Sequence, residues 1–190
     1  KDKESCGIVN NPLNNIKNVI GIMSGKGGVG KSTVTTLLAK DLVKRGYKVG
    51  IMDADITGPS IPRLMGVSGQ MAMGDGTNII PVTSKEGIKI ISLNLLLQDE
   101  SQPVVWRGSI ISSAVKQFWE EVLWGDLDYL LIDMPPGTGD VALTVIQSTP
   151  INGIVMVSVP QDMVSMIVAK AVNMAKKMNV PVIGVVENMS

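Results

Sequence analysis

Positions 25 to 32 read G-K-G-G-V-G-K-S, with Thr33 next. The run matches G-x-x-x-x-G-K-S/T, a loop whose backbone N–H groups wrap phosphate. Gly25, Gly27, Gly28 and Gly30 tolerate positive φ and let the amides come close to phosphate oxygens. Lys26, Val29 and Thr33 complete the cradle, and the helix that follows aims its positive dipole end at the same anion. Lys31 is spaced to reach the β- and γ-phosphates, and the Ser32 hydroxyl to ligate Mg²⁺. Gly25, Gly27 and Gly30 also spell G-x-G-x-x-G, with Asp53 where a dinucleotide fold places its ribose-binding acid. A dinucleotide site, however, has no use for a Lys-Ser pair opening the helix, whereas a Mg²⁺–triphosphate site uses both.

Three acids could serve such a site. Asp133 closes the apolar run Leu130-Leu131-Ile132 and can hold Mg²⁺ directly or through water, because Mg²⁺ keeps part of its hydration shell. Asp55 is the candidate for orienting or deprotonating an attacking water, and Asp53 for supporting Mg²⁺-bound water. Both also suit the shaping of an Asp-rich turn. Ser32, Asp53 and Asp133 thus form the expected metal set. Lys31 and Asp55 are the catalytic residues expected from the motifs. Gly137 and Gly139 would let the loop after Asp133 approach a γ-phosphate and rearrange, while Pro135-Pro136 restricts its motions.

The elements that must position these residues alternate between two periods. Short β-branched runs predict strands at Val19–Met23, Lys48–Met52, Ile88–Ser92, Tyr129–Ile132, Ile154–Val159 and Val182–Val186. Helical spacing links Leu37, Leu38, Leu42 and Val43, with Gly46 as the C-terminal cap. It also links Ile111, Val115, Phe118 and Val122, then Met163, Ile167, Ala171 and Ala175. The loop Gly58-Pro59-Ser60-Ile61-Pro62 leads into a short helix through Met65, and Asp140 is placed to N-cap a helix through Ser148. Residues 66–87 show no period and suggest mobility, 99–103 read as polar loop, and 1–17 as leader or loop ahead of a domain over 18–190. Strand–helix alternation predicts a three-layer α/β fold, a mostly parallel sheet with helices on both faces. The acids, Gly25 and Asn188 then all fall at the carboxyl ends of strands, where open parallel sheets bind ligands.

Composition narrows the partners. At 190 residues the chain fits one domain with a sizeable core. Seventeen basic and 17 acidic residues cancel, so nothing in the charge points to nucleic acid or an anionic membrane. The longest apolar stretch, 153–159, is strand length, and no signal peptide is visible. The single cysteine, Cys6, reads as a free thiol and fits a reducing cytoplasm. Methionines at helical spacing read as core filler. The sequence opens on Lys1 rather than Met, which suggests a piece of a longer chain.

G-K-G-G-V-G-K-S-T, with a lysine directly after the first loop glycine, resembles the deviant P-loop of the ATPase class containing nitrogenase iron protein, ParA/MinD partition proteins and the Mrp/ApbC iron–sulfur carriers. D-A-D-I-T-G-P-S-I-P (53–62), W-R-G (106–108), D-M-P-P-G-T-G-D (133–140) and V-E-N-M-S (186–190) are similar to the Mrp/ApbC group in particular. The resemblance implies a homodimeric cytoplasmic ATPase that hydrolyses ATP slowly and passes iron–sulfur clusters to apoproteins together with cluster-assembly proteins. Lys26 would join Lys31 and Asp55 in the catalytic set by crossing the dimer interface to the partner's nucleotide, Asn188 would contact adenine, and Asp55 and Asp133 would be the two switch carboxylates. In the group a C-x-x-C pair from each protomer holds a bridging 4Fe–4S cluster shortly after N-M-S; here that position lies beyond Ser190. Two other functions remain open at this point: a ParA/MinD-like positioning ATPase that binds DNA or membrane, and a non-hydrolysing scaffold.

Overall fold

In the computed structural model the described residues are 7–57, 61–96, 108–163 and 165–189. Cys6, the loop 58–60, the polar loop 99–103, Trp106, Arg107 and Ser190 lie outside them.

The chain runs β1 (Asn15–Ser24), α1 (Lys31–Lys44), β2 (Val49–Asp53), α2 (Ile61–Leu64), β3 (Met73–Gly74), β4 (Ile79–Ile80), β5 (Val82–Thr83), β6 (Lys89–Ser92), α3 (Leu93–Leu96), α4 (Gly108–Glu121), β7 (Asp126–Asp133), α5 (Asp140–Ser148), β8 (Gly153–Ser158), a 3₁₀ turn (Pro160–Asp162), α6 (Met166–Lys177) and β9 (Val182–Glu187). The main sheet has seven strands in the order β5-β6-β2-β7-β1-β8-β9. Only β5 is antiparallel to its neighbour. In register, Ile22 of β1 stands beside Asp133 of β7, which in turn stands beside Asp53 of β2.

Side chains alternate across the sheet with the strand period of two, and this builds the three layers. Val19, Met23, Met52, Ile91, Leu130, Ile132 and Met156 face the cluster holding Val115 and Phe118 of α4, Ala142 and Val145 of α5, and Ala171 and Ala175 of α6. Ile20, Ile22, Ile51, Ile90, Leu131 and Val157 face the opposite cluster, with Ala39 of α1 and Ile61 of α2. Continuous apolar strands buried on both faces are what a parallel sheet covered by helices requires. Met23, Met52, Met134 and Met156 are fully buried filler, whereas Met71, Met73 and Met166 are exposed.

Several sequence expectations shift. Leu37 is 61% exposed, while Leu38, Leu42 and Val43 pack against the α1-side cluster as expected, beside the buried Thr35, Thr36 and Ala39. Met163 precedes α6, which starts only after Pro160 and the 3₁₀ turn have redirected the chain. Gly139 is the N-cap of α5 and Asp140 its first residue, with no side-chain capping bond, so its charge acts on the helix dipole alone. Residues 66–87 hold the β3–β4 hairpin and β5, with Asp75 Oδ1 accepting from the N–H of Thr77 at 2.9 Å and of Asn78 at 2.7 Å. Strands of two residues are too short to show a period. β1 begins at Asn15, inside the segment expected as leader. Gly46 follows the α1 C-cap with φ 90°, as its cap position requires.

Candidate nucleotide site at the carboxyl edge of the sheet

The loop joining β1 to α1 is pinned at both ends. Val29 is buried in the α1-side cluster. A Cβ built on Gly25 would lie 2.1 Å from Ile167 Cγ2 of α6, and Gly30, the N-cap, has φ 77°. Lys26, Gly27, Gly28 and Thr33 stay exposed. The first turn of α1 carries no acidic residue and its N-cap makes no side-chain bond, so the amide end of the helix dipole is left for an outside anion.

Beneath this loop lies a buried polar cluster. Lys31, 5% exposed, has its ammonium 3.2 Å from Asp55 Oδ2 and directly against Asp133 Oδ1. Ser32 Oγ donates to Asp133 Oδ2 at 2.6 Å. Thr35 Oγ1 donates to the Lys31 carbonyl at 2.9 Å and lies 3.5 Å from Asp133 Oδ1. Asp55 Oδ1 accepts from Thr57 Oγ1 at 2.7 Å and from the Thr57 N–H at 2.9 Å, which fixes its second oxygen toward Lys31. Asp53 is turned the other way. Its Oδ1 accepts the Asp55 N–H at 3.1 Å, and its Oδ2 accepts Ser92 Oγ at 2.9 Å and the Ile61 N–H at 3.4 Å.

Burial pushes the Asp133 carboxyl up, against the pull of Lys31 and the Ser32 hydroxyl. Asp53 goes up to about 8, through burial first and the neighbouring Asp133 charge second. Asp53 has both oxygens already taken by the β6 side and the turn after β2. Its hydrogen bonds organise the loop carrying Asp55.

Oxygen donors only, one hydroxyl and one carboxylate, suit a hard cation such as Mg²⁺. No group of three or more His, Cys, Asp or Glu that could hold a metal occurs among the described residues.

The remaining candidates also arrive at this edge. Asn188, just past β9, donates from Nδ2 to the Val29 carbonyl at 3.0 Å. The Gly137 N–H donates to the Ser24 carbonyl at 3.0 Å, so the loop after Asp133 lies against the end of β1. Lys26 pairs with Asp162 of its own chain at 2.6 Å. Thr35, Thr57, Ser92 and Asp162 were not singled out by sequence reasoning. Ser92 carried one signal, its place at the end of a strand beside Asp53. A cavity of about 300 Å³ also includes Asn14, Trp119 and Asn152 in its wall. Its asparagines are spent on structural bonds: Asn14 bridges Val122 and Gly125, Asn152 accepts the Val19 N–H, Asn10 accepts the Trp119 indole N–H, and Asn11 donates to Asn78 and the Glu120 carbonyl.

The family described as ParA: NUBPL iron-transfer P-loop NTPase matches residues 15–190. The chain belongs to it. An iron–sulfur cluster carrier protein of Clostridium perfringens is 57% identical over 183 residues, covering 93% of this chain and 64% of its own length. The Escherichia coli K12 protein of the same name is 48% identical over 179 residues, covering 94% of this chain and 48% of its own. The family member described here thus spans about half to two thirds of these relatives. A nucleotide-binding protein of Archaeoglobus fulgidus, solved in complex with ADP, superposes with a TM-score of 0.81 at 47% identity, covering 92% of this chain and 67% of that one. MinD of Pyrococcus horikoshii, solved with Mg-ADP, shares the fold alone, with a TM-score of 0.65 at 23% identity over 89% of this chain and 69% of its own. No helix among the described residues is long and apolar enough to cross a membrane.

Proposed function

We propose that this chain is the nucleotide-driven unit of an iron–sulfur cluster carrier: it binds Mg²⁺-ATP at residues 25–33, hydrolyses it slowly, and uses the change of state to gate delivery of a 4Fe–4S cluster to apoproteins. The observation that carries the nucleotide half is Lys31, buried between Asp55 and Asp133 at the start of α1. A buried ammonium held by two carboxylates is poised for exchange. When polyphosphate arrives the lysine turns to it, and Asp133 and Ser32 are released to a cation. Bound Mg²⁺ would neutralise the charge that builds on the phosphate oxygens. Asp55, its other oxygen fixed by Thr57, is placed to orient the attacking water and take its proton as the β–γ bond breaks. Asn188 on the rim is the contact for adenine, and Asp53 keeps the Asp55 turn in place rather than touching metal.

The cluster half rests on the family and on the names of the relatives. In this proposal two copies form a symmetric dimer, Lys26 reaches the partner's nucleotide, and the cluster is cargo handed to cytoplasmic acceptors and received from cluster-assembly proteins. The zero net charge is not that of a chain that binds DNA or anionic membrane.

The test uses the full-length protein, reconstituted anaerobically with iron and sulfide and mixed with the apo form of a 4Fe–4S enzyme. Bound iron and sulfide in cluster proportion, with recovery of the acceptor's activity that responds to ATP, is the expected result. Failure to bind or transfer cluster, together with ATP-dependent pelleting on DNA or anionic vesicles, would replace this proposal with a positioning ATPase.

A further inference from the structure

Both lysines of the phosphate loop are neutralised by carboxylates of their own chain. Lys31 is internal to the site, but Lys26 reaches outward, its side chain 47% exposed, and is met by Asp162, 14% exposed, at 2.6 Å. Asp162 closes the 3₁₀ turn that follows β8, and β8 is the neighbour of β1 in the sheet.

The turn is firmly built. Pro160 opens it, the Asp162 N–H donates to the Val159 carbonyl at 3.0 Å, and the Asp162 carbonyl accepts Ser165 Oγ at 2.7 Å and the Ser165 N–H at 3.0 Å. Asp162 Oδ2 is buried, and among the described residues no hydrogen-bond donor other than the Lys26 ammonium approaches it. The loop on the other side is equally constrained, since Gly25 leaves no space between its backbone and Ile167. A rigid carboxylate therefore faces a flexible lysine across the mouth of the loop.

We propose that Asp162 is a positioning residue that holds Lys26 in cis until a second copy of this chain, with nucleotide bound, competes for it. This rests on the reading of Lys26 as the residue that crosses to the partner. The ammonium cannot serve its own Asp162 and another chain's phosphate at once, so every dimer formed must break two such pairs. A partly exposed ion pair is worth roughly a two- to fivefold factor. With one pair lost per protomer in a symmetric dimer, the self-association constant carries a penalty on the order of tenfold. The same contact limits turnover by isolated chains at low concentration and ties hydrolysis to assembly.

Two measurements on Asp162→Asn and Asp162→Glu test this. The first reads the pair without activity: the rate at which an amine-acylating reagent modifies Lys26 in the ligand-free protein, followed by peptide mass spectrometry with Lys116 as an exposed reference. Asp162→Asn should raise Lys26 modification several-fold with Lys116 unchanged, and Asp162→Glu should restore protection. The second reads ATP turnover against protein concentration. Asp162→Asn should reach half-maximal specific activity at a concentration about tenfold lower, with a matching shift of self-association in sedimentation velocity with Mg²⁺-ATP, and the sedimentation shift should vanish in a Lys26→Ala background.

Unchanged acylation in Asp162→Asn overturns the pair. Raised acylation with an unmoved concentration profile, or the same sedimentation shift in the Lys26→Ala background, overturns its role in assembly. Wild-type turnover in Lys26→Ala alone instead removes the crossing lysine, and the acylation arm still reports on the pair.

Discussion

The hydroxyl of Ser32, in the first turn of α1, donates to Asp133 at the end of β7 across 2.6 Å. This contact joins the phosphate loop to the acid strand, and it places the two oxygen ligands expected of a magnesium ion side by side. Ser32→Ala removes one of them. Affinity for ATP should fall roughly tenfold to a hundredfold with Mg²⁺ present and much less in its absence, since a hydrogen-bonding group at a charged site is worth about 1.5–3 kcal/mol. Titrations of ATP with and without the metal check this; equal losses in both would place the hydroxyl outside the metal's reach.

Asp55 and its support from Thr57 are assigned to the chemical step. Asp55→Asn keeps the shape and removes the base, so turnover should drop about a hundredfold or more while ATP affinity moves only a few-fold. Single-turnover rates beside equilibrium binding separate the two. A variant that binds poorly but hydrolyses bound ATP at the wild-type rate contradicts the assignment.

Gly28 and Gly30 share a left-handed backbone, with φ 76° and 77°, but not their surroundings. A Cβ on Gly28 meets nothing within 4 Å, whereas one on Gly30 comes 2.3 Å from Asn188 Nδ2. Gly28→Ala should cost about 1 kcal/mol through backbone strain alone, and Gly30→Ala a further 1–3 kcal/mol or so as Asn188 is forced off the Val29 carbonyl. Denaturant titration of both ligand-free variants gives the ranking. Equal losses would mean that Asn188 yields freely.

Asp53 supplies a pH signature. Its folded-state carboxyl, raised from 3.8 to about 8, keeps a proton that the unfolded chain has already lost across that interval. The ligand-free fold therefore loses stability as pH rises from about 4 to about 8. Asp53→Asn should remove this slope, gaining on wild type between about pH 5 and about pH 8 in thermal denaturation. Curves that stay parallel would show that Asp53 is ionised throughout.

The legible parts of this site are those where one residue type has one use. The loop glycines, Lys31, Ser32 and the acid ending Leu130-Leu131-Ile132 announce a phosphate site by spacing, and the strands around them announce a sheet by unbroken β-branched runs. Sequence reasoning gave Asp55 the attacking water and Asp53 the metal's water, but not which way each side chain turns. That is decided by Ser92 and Thr57, and Ser92 is 39 positions from Asp53. Asp162 was hidden for a similar reason: an acid in a turn after Pro160 looks like any turn former until β8 is set beside β1. The β3–β4 hairpin escaped because two residues carry no period, and Leu37 misled because adjacent leucines cannot both face the core: Leu38 packs inward with Leu42 and Val43 while Leu37 points out.

Calorimetric titration of Mg²⁺-ATP into wild type and Lys31→Ala, with circular dichroism showing both folded, bears most directly on the phosphate site. Wild type should bind, and Lys31→Ala should lose at least about a hundredfold in affinity, because a charge-assisted contact to phosphate disappears from a buried position. Wild-type affinity in a folded Lys31→Ala protein would contradict the account.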